Sequence, residues 1–171
     1  MHRPTPRRPV PALRVSTTTG DLWDLAGRRP AGFSMIVVYR GLHCPICKTY
    51  LRDLDARMDD FAARGVDVIA VSTDTNERAE KAQQQWELKK LPVAYGLSIA
   101  SAREWGLYVS RGIKETEPVE FAEPGIFLVK PDGTLYCASF NTMPYARPSF
   151  QDILGAVDFV TKNNYPARGE A

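Results

Sequence analysis

Two cysteines three residues apart, Cys44 and Cys47, are the residues best placed to do chemistry in this chain. They follow an apolar run, Met35-Ile36-Val37-Val38-Tyr39, and the short link Arg40-Gly41-Leu42-His43. A helical pattern begins directly after them. This arrangement predicts a strand, a turn, and a Cys-Pro-Ile-Cys pair on the first turn of a helix. Free N–H groups and the positive end of the macrodipole lie at a helix N-terminus. Both favour a thiolate over a thiol and so make a cysteine there the better nucleophile. The spacing brings the second sulfur within disulfide reach of the first. Pro45 suits the first helical turn, where a missing N–H costs nothing.

Cys44, earliest on the helix and expected to be the more exposed, is the candidate nucleophile, and Cys47 the candidate resolving thiol. Attack of a Cys44 thiolate on a peroxide would give a sulfenic acid that Cys47 condenses to a disulfide. Attack on a disulfide would give a mixed disulfide that Cys47 resolves. On this reading Cys44 titrates below an ordinary cysteine and Cys47 does not. His43 could tune the Cys44 pKa if protonated, or be an exposed loop residue. Arg40 could orient peroxide or stabilise the thiolate, or be a surface ion-pair partner. Two further readings of the pair stay open. One is a zinc site, although four ligands are usual and only Cys137, His43 and His2 remain. The other is an inactive pair on a scaffold fold. Cys137 lies in a strand pattern and reads as a small buried hydrophobe.

The elements that must position the pair follow from periodicity. The Thr17-Thr18-Thr19-Gly20-Asp21 cluster predicts a turn inside an N-terminal β-hairpin over about 13–27. A buried strand covers Phe33 to Tyr39. The helix from Cys44 to about Ala63 carries Leu51, Leu54, Met58 and Phe61 on one face and ends at Gly65. Val66 to Val71 is the next strand. Asp74, with Glu77 three residues on, reads as the cap of a helix to about Lys90. A short strand, Val93 to Leu97, precedes a helix capped by Ser101 and Glu104, and then a loop. Trp86 and Trp105 fall on apolar helix faces. Ile126 to Val129 and Leu135 to Phe140 are strands joined by a Pro131-Asp132-Gly133 turn. Ser149 and Asp152 open a last helix. Strand–helix alternation implies right-handed crossovers, a central, mostly parallel sheet and helices on both faces, an α/β fold.

Composition narrows the function classes. The chain has 171 residues, 22 basic and 20 acidic, for a net charge of +2. That balance predicts neither nucleic-acid nor membrane partners. Three cysteines make no disulfide framework of the small secreted type. No apolar run approaches the roughly 20 residues that span a bilayer. Residues 1–12, rich in proline and arginine, read as a disordered or extended tail, and 13–171 as one domain. Arg7-Arg8 lacks the apolar region of an export signal, so a reducing cytoplasm is the expected location.

With these residues in place, the chain resembles the thioredoxin-fold superfamily, and within it peroxiredoxin-like proteins of the alkyl hydroperoxide reductase / thiol-specific antioxidant group. The strand–Cys44-Pro45–helix junction, the β-α-β-α-β insertion, Pro124 before Ile126-Phe127-Leu128-Val129, and Lys130-Pro131-Asp132-Gly133-Thr134 carry the resemblance. Met143-Pro144-Tyr145-Ala146-Arg147-Pro148 is also similar to a peroxiredoxin-like subgroup. The resemblance implies a thioredoxin-like fold with an antiparallel C-terminal hairpin. It places Pro124 as a cis-proline facing the cysteines. It implies thiol-dependent reduction of hydroperoxides through a Cys44–Cys47 cycle, with electrons from a thioredoxin- or glutaredoxin-like partner or a small thiol, and no metal or organic cofactor. A protein thiol–disulfide reductase and a non-catalytic redox sensor are the alternatives. The chain departs from the peroxiredoxin pattern at Val37, where that family has proline, and at Gly41, where it has a hydroxyl residue. Glu123-Pro124 stands where the family keeps an arginine; Arg40, Arg111 and Arg147 are the candidate substitutes.

Overall fold

The computed structural model describes residues 3–171. Among the described residues nine strands, five α-helices and a short 3-10 helix (Leu25–Gly27) follow one another along the chain. The strands are β1 (Arg14–Thr17), β2 (Leu22–Asp24), β3 (Phe33–Val38), β4 (Val66–Val71), β5 (Val93–Tyr95), β6 (Val109–Arg111), β7 (Glu120–Ala122), β8 (Gly125–Val129) and β9 (Leu135–Phe140). The helices are α1 (Pro45–Ala56), α2 (Met58–Ala63), α3 (Asn76–Gln85), α4 (Ile99–Glu104) and α5 (Phe150–Asn163).

Seven strands form one sheet in the order β2-β1-β5-β4-β3-β8-β9, and β6 and β7 form a separate ribbon. The sheet is mixed rather than mostly parallel as expected: parallel pairing is confined to β3–β4 and β4–β5, because the N-terminal hairpin and the β8–β9 hairpin attach antiparallel at the two sides. β3 lies inside the sheet, and all six of its residues are buried. Covered on both faces, it needs apolar side chains on both, which is why its sequence is a continuous run rather than an alternation.

Alternate residues of the sheet feed two cores. Met35, Val37 and Tyr39 pack with Cys47, Leu51 and Leu54 of α1, Phe61 of α2, and Phe150, Leu154 and Val157 of α5. Ile36, Val38 and Phe127 pack on the other face with Trp23, Ala102 and Trp105. Both Trp86 and Trp105 are core residues, as their helical spacing predicts. α5 is fastened to α1 through the Tyr50 and Phe150 rings, 4.3 Å apart.

Several local features differ from the sequence reading. The first long helix is broken at Arg57, whose backbone leaves helical geometry. Thr75, not Asp74, caps α3 by accepting from the Arg78 N–H; the carboxylate of Asp74 is used elsewhere. Ser98, not Ser101, caps α4. The loop before Glu123 holds the β6–β7 ribbon. Ser149 caps α5 as expected, accepting from the Asp152 N–H at 3.0 Å. The proline-rich segment before β1 lies along the start of β9. The Arg7 N–H donates to the Leu135 carbonyl at 2.8 Å, and the Leu135 N–H to the Arg8 carbonyl at 2.9 Å.

Candidate active site

β3 delivers the chain to the carboxyl end of the parallel strands, where Arg40–His43 turn it into α1. Gly41 makes this turn with φ +129°, a conformation that favours glycine. Space imposes a second requirement: a Cβ here would lie 2.8 Å from both carboxylate oxygens of Asp74. Asp74 is fully buried beyond the end of β4. It accepts from the Leu42 N–H at 2.7 Å and from Arg78 Nε at 2.8 Å. The position where the resembling family carries a hydroxyl side chain is therefore filled by a carboxylate from a neighbouring crossover.

Cys44 is the N-cap of α1, with Pro45 in the first turn. Its sulfur accepts from the Cys47 N–H at 3.2 Å, and its own N–H donates to the Gly41 carbonyl at 3.1 Å. Cys44 and Cys47 form a disulfide with their Cα atoms 5.2 Å apart. Both residues are buried, Cys44 1% exposed and Cys47 0%. The expected greater exposure of Cys44 is thus absent: both belong to the core cluster, packed by Leu42, Ile46 and Tyr50.

The other candidate residues sort by what holds them. Arg40 forms an ion pair with buried Glu123, Nε to Oε2 3.2 Å, and lies over the Phe121 ring at 4.8 Å. Glu123 is further held by the Ser110 hydroxyl at 2.6 Å and by its own N–H to the Tyr108 carbonyl. His43 stands edge-on to Phe121, with centroids 4.6 Å apart, and its Nδ1 lies 3.5 Å from Arg78 Nη2. Burial lowers its pKa, an effect that Asp74 opposes and Arg40 adds to. A ring held neutral at pH 7 supplies no cation to Cys44. Arg111 is exposed on β6, in register with Glu120. Pro124 is buried immediately before β8, and its neighbour Gly125 pairs with Val38, so it shares the end of the sheet with the cysteines. The Glu123–Pro124 bond is trans, as are all peptide bonds among the described residues. The chain runs extended from β7 into β8, with Glu123 held on both sides, and the ordinary trans form accommodates that path.

Arg147 does reach the cysteines. Its Nη1 lies 3.7 Å from Cys47 Sγ and its Nη2 donates to the Ile46 carbonyl at 3.3 Å. The guanidinium is stacked 3.9 Å from the centre of the Tyr50 ring, and the Tyr50 hydroxyl donates to the Pro148 carbonyl. Cys137, expected in the core, lies exposed on the edge strand β9. Its thiol is nonetheless crowded enough for desolvation to push its pKa up to about 11.

Sequence reasoning missed Asp74 as a site residue because it also fits a helix cap, and missed Arg78 because an arginine in a polar helix turn is ordinary. The best signal was Gly41 itself, an unexplained glycine beside the pair. A cavity of about 1130 Å³ lies at the opposite end of the sheet among Phe33, Arg64, Tyr136 and Tyr165, and neither cysteine lines it. Among the described residues no cluster of His, Cys, Asp and Glu is arranged to hold a metal ion. No helix there is long and apolar enough to cross a membrane.

A family model described as the AhpC/TSA family matches residues 6–137. No curated protein matches the chain. Among solved structures, Mycobacterium bovis AhpC is similar with a TM-score of 0.77 and 14% identity, covering 98% of each chain. A mutant of Peroxiredoxin 6 of Arenicola marina matches at TM-score 0.76 and 18% identity, over 94% of this chain and 74% of that one. Peroxidoxin BcpB from Mycobacterium tuberculosis matches at 0.75 and 16%, over 93% and 99%.

Proposed function

The chain belongs to the AhpC/TSA family and is a thiol-dependent peroxide reductase of the thioredoxin fold; we propose that its cycle runs on Cys44 and Cys47 alone. The observation that carries this is the N-cap position of Cys44, with the Cys47 N–H aimed at its sulfur and the Cys47 side chain in disulfide register.

In the reduced protein the free N–H groups and dipole of α1 favour the Cys44 thiolate. Its sulfur attacks one peroxide oxygen: the S–O bond forms, the O–O bond breaks, and the other oxygen leaves as an alcohol or water after taking a proton. Cys44 is oxidised to a sulfenic acid and the peroxide is reduced. The Cys47 thiolate then attacks Cys44 Sγ, the S–O bond breaks, and water leaves after protonation, giving the disulfide. No step uses a metal or an organic cofactor. Two electrons from a thiol reductant restore the dithiol, and a thioredoxin- or glutaredoxin-like protein or a small thiol fits that role. A reducing compartment such as the cytoplasm suits such a cycle.

The missing hydroxyl at Gly41 and the engagement of Arg40 with Glu123 remove two groups that would stabilise charge on the breaking O–O bond. Such groups often contribute about a hundredfold each, so the expected peroxidase is real but slow. Stopped-flow oxidation of the reduced protein by hydrogen peroxide and by an organic hydroperoxide tests this. Cys44→Ser is expected to be inactive, and Cys47→Ser to accumulate sulfenic acid or a mixed disulfide on Cys44. Brisk reduction of insulin disulfides, with peroxide consumption no faster than in a cysteine-free control, would replace this reading with the disulfide-reductase one.

A further inference from the structure

We propose that Arg147 serves the resolving cysteine: its guanidinium receives the negative charge that appears on Cys47 Sγ when the Cys44–Cys47 disulfide is reduced. The proposal rests on the cycle above for its place in turnover, but its geometry stands apart from it.

Three observations converge. First, Nη1 of Arg147 lies 3.7 Å from Cys47 Sγ, and the guanidinium's hydrogen bonds among the described residues go to Cys47 and Ile46 and none to Cys44. Second, the head group is held from several sides, by the Ile46 carbonyl, the face of Tyr50 and the Tyr50–Pro148 hydrogen bond. A guanidinium fixed in this way is already oriented and loses little freedom on gaining an anion. Third, it has no counter-ion. No carboxylate pairs with it among the described residues, and its Nε is shielded from water without a hydrogen-bond partner. A partly buried cation left unpaired is costly, and an anion arriving beside it is correspondingly stabilised. Desolvation lowers the Arg147 pKa to about 10, which leaves it charged at neutral pH.

The surrounding charges do not compete. Tyr50 stays neutral because burial raises its pKa more than the Arg147 charge lowers it, with Asp53 adding to the rise. Arg40 is engaged by Glu123, and its positive charge also acts on Arg147, lowering that pKa. His43, on the loop before α1, is lowered by burial.

This assigns a direction to disulfide reduction. A reductant thiolate attacks Cys44 Sγ, forming a reductant–Cys44 disulfide and breaking the Cys44–Cys47 bond. The electron pair goes to Cys47 Sγ, opposite Arg147. A second reductant thiolate then attacks the mixed disulfide at the reductant's sulfur. It forms the oxidised reductant and releases Cys44 as a thiolate. A better leaving group departs faster, so attack at Cys44 is faster with Arg147 beside Cys47 Sγ than it would be without it. The two cysteines thus draw on different sources of positive potential, Cys44 on the end of α1 and Cys47 on Arg147.

The test is a thiolate titration by ultraviolet absorbance in a Cys137→Ser background. Two single-thiol proteins are compared, Cys44→Ser, which keeps Cys47, and Cys47→Ser, which keeps Cys44. Each is measured with and without Arg147→Gln, against a cysteine-free control that removes the tyrosine signal. Arg147→Gln is expected to raise the Cys47 pKa by about one unit, a tenfold change in thiolate population at neutral pH, and to leave Cys44 nearly unmoved. It should also slow reduction of the wild-type disulfide by dithiothreitol about threefold. If the Gln variant loses cooperative unfolding, Arg147→Lys replaces it, with a smaller shift expected, still on Cys47 alone. An equal or larger shift on Cys44, or none on Cys47, would overturn the proposal. Failure of the wild type to consume peroxide would overturn the peroxidase cycle instead and leave the titration to decide Arg147 by itself.

Discussion

At the scale of single residues, the site is organised around a carboxylate. Asp74 holds the Leu42 N–H and Arg78 and occupies the room beside Gly41. Replacing Gly41 with Thr, to supply the family's hydroxyl, is expected to lower stability by about 1–3 kcal/mol through backbone strain and crowding. It should not raise the peroxide rate, because the side chain meets a carboxylate; urea unfolding and stopped-flow oxidation check the two halves. His43 makes a pH-dependent contribution. Its folded pKa is depressed below the ordinary 6.5, so the unfolded chain binds the proton more readily. The stability that comes from keeping the ring neutral is complete above about pH 6.5 and is lost as pH falls through the folded value. Unfolding free energies measured across that window should fall less steeply with acid in His43→Gln than in wild type. Cys137 is expected to alkylate slowly at neutral pH despite its exposure, since its raised pKa leaves little thiolate. Mass spectrometry after timed iodoacetamide treatment of the reduced protein reports this.

At the scale of elements, the start of α3 separates two roles that adjacent residues share. Thr75 caps the helix and Asp74 braces the turn before Cys44. Thr75→Ala should therefore cost about 1 kcal/mol in chemical denaturation and leave peroxide kinetics unchanged. Asp74→Asn keeps an acceptor for Leu42 but removes the charge facing Arg78, so it is expected to change the rate of Cys44 oxidation as well as stability. Equal kinetic effects from the two substitutions would contradict this division. The turn between β3 and α1 is thus set by a residue on a different crossover, because β3 and β4 are parallel neighbours whose carboxyl ends lie side by side.

At the scale of the molecule, the seven-stranded sheet brings every chemical group to one end. β3, β4 and β8 deliver Arg40, Asp74 and Glu123 there, and the segment before α5 delivers Arg147. The segment before β1 works at the other end, along β9. Arg7 and Arg8 exchange backbone hydrogen bonds with Leu135, and Val10 donates to the Gly133 carbonyl. Net values near 1 kcal/mol per hydrogen bond suggest that deleting residues 3–10 costs about 2–3 kcal/mol. The melting temperature should drop, while Cys44–Cys47 disulfide formation continues at its normal rate. Loss of disulfide formation on truncation would show that the segment supports the site as well as the sheet edge.

What the sequence alone determined is local. The buried run of β3, the Cys44-Pro45-x-Cys47 start of α1, the Pro131–Gly133 turn and the Ser149 cap each depend on contacts within a few residues, and spacing records such contacts. The resemblance carried by those motifs extended the reading to thiol peroxide chemistry. Tertiary structure alone decided the polar surroundings of the sulfurs. The contact between Arg147 and Cys47 spans 100 positions, and the Arg40–Glu123 and Asp74–Leu42 contacts also cross between elements. Any of several arginines could have satisfied the sequence; only the packing of α5 on α1, through Tyr50 and Phe150, selects Arg147. The burial of both sulfurs was equally illegible, because exposure depends on what the rest of the chain lays over a helix end. The trans bond at Pro124 follows the same rule: the isomer is chosen by the path from β7 into β8, and one proline before a strand does not encode that path.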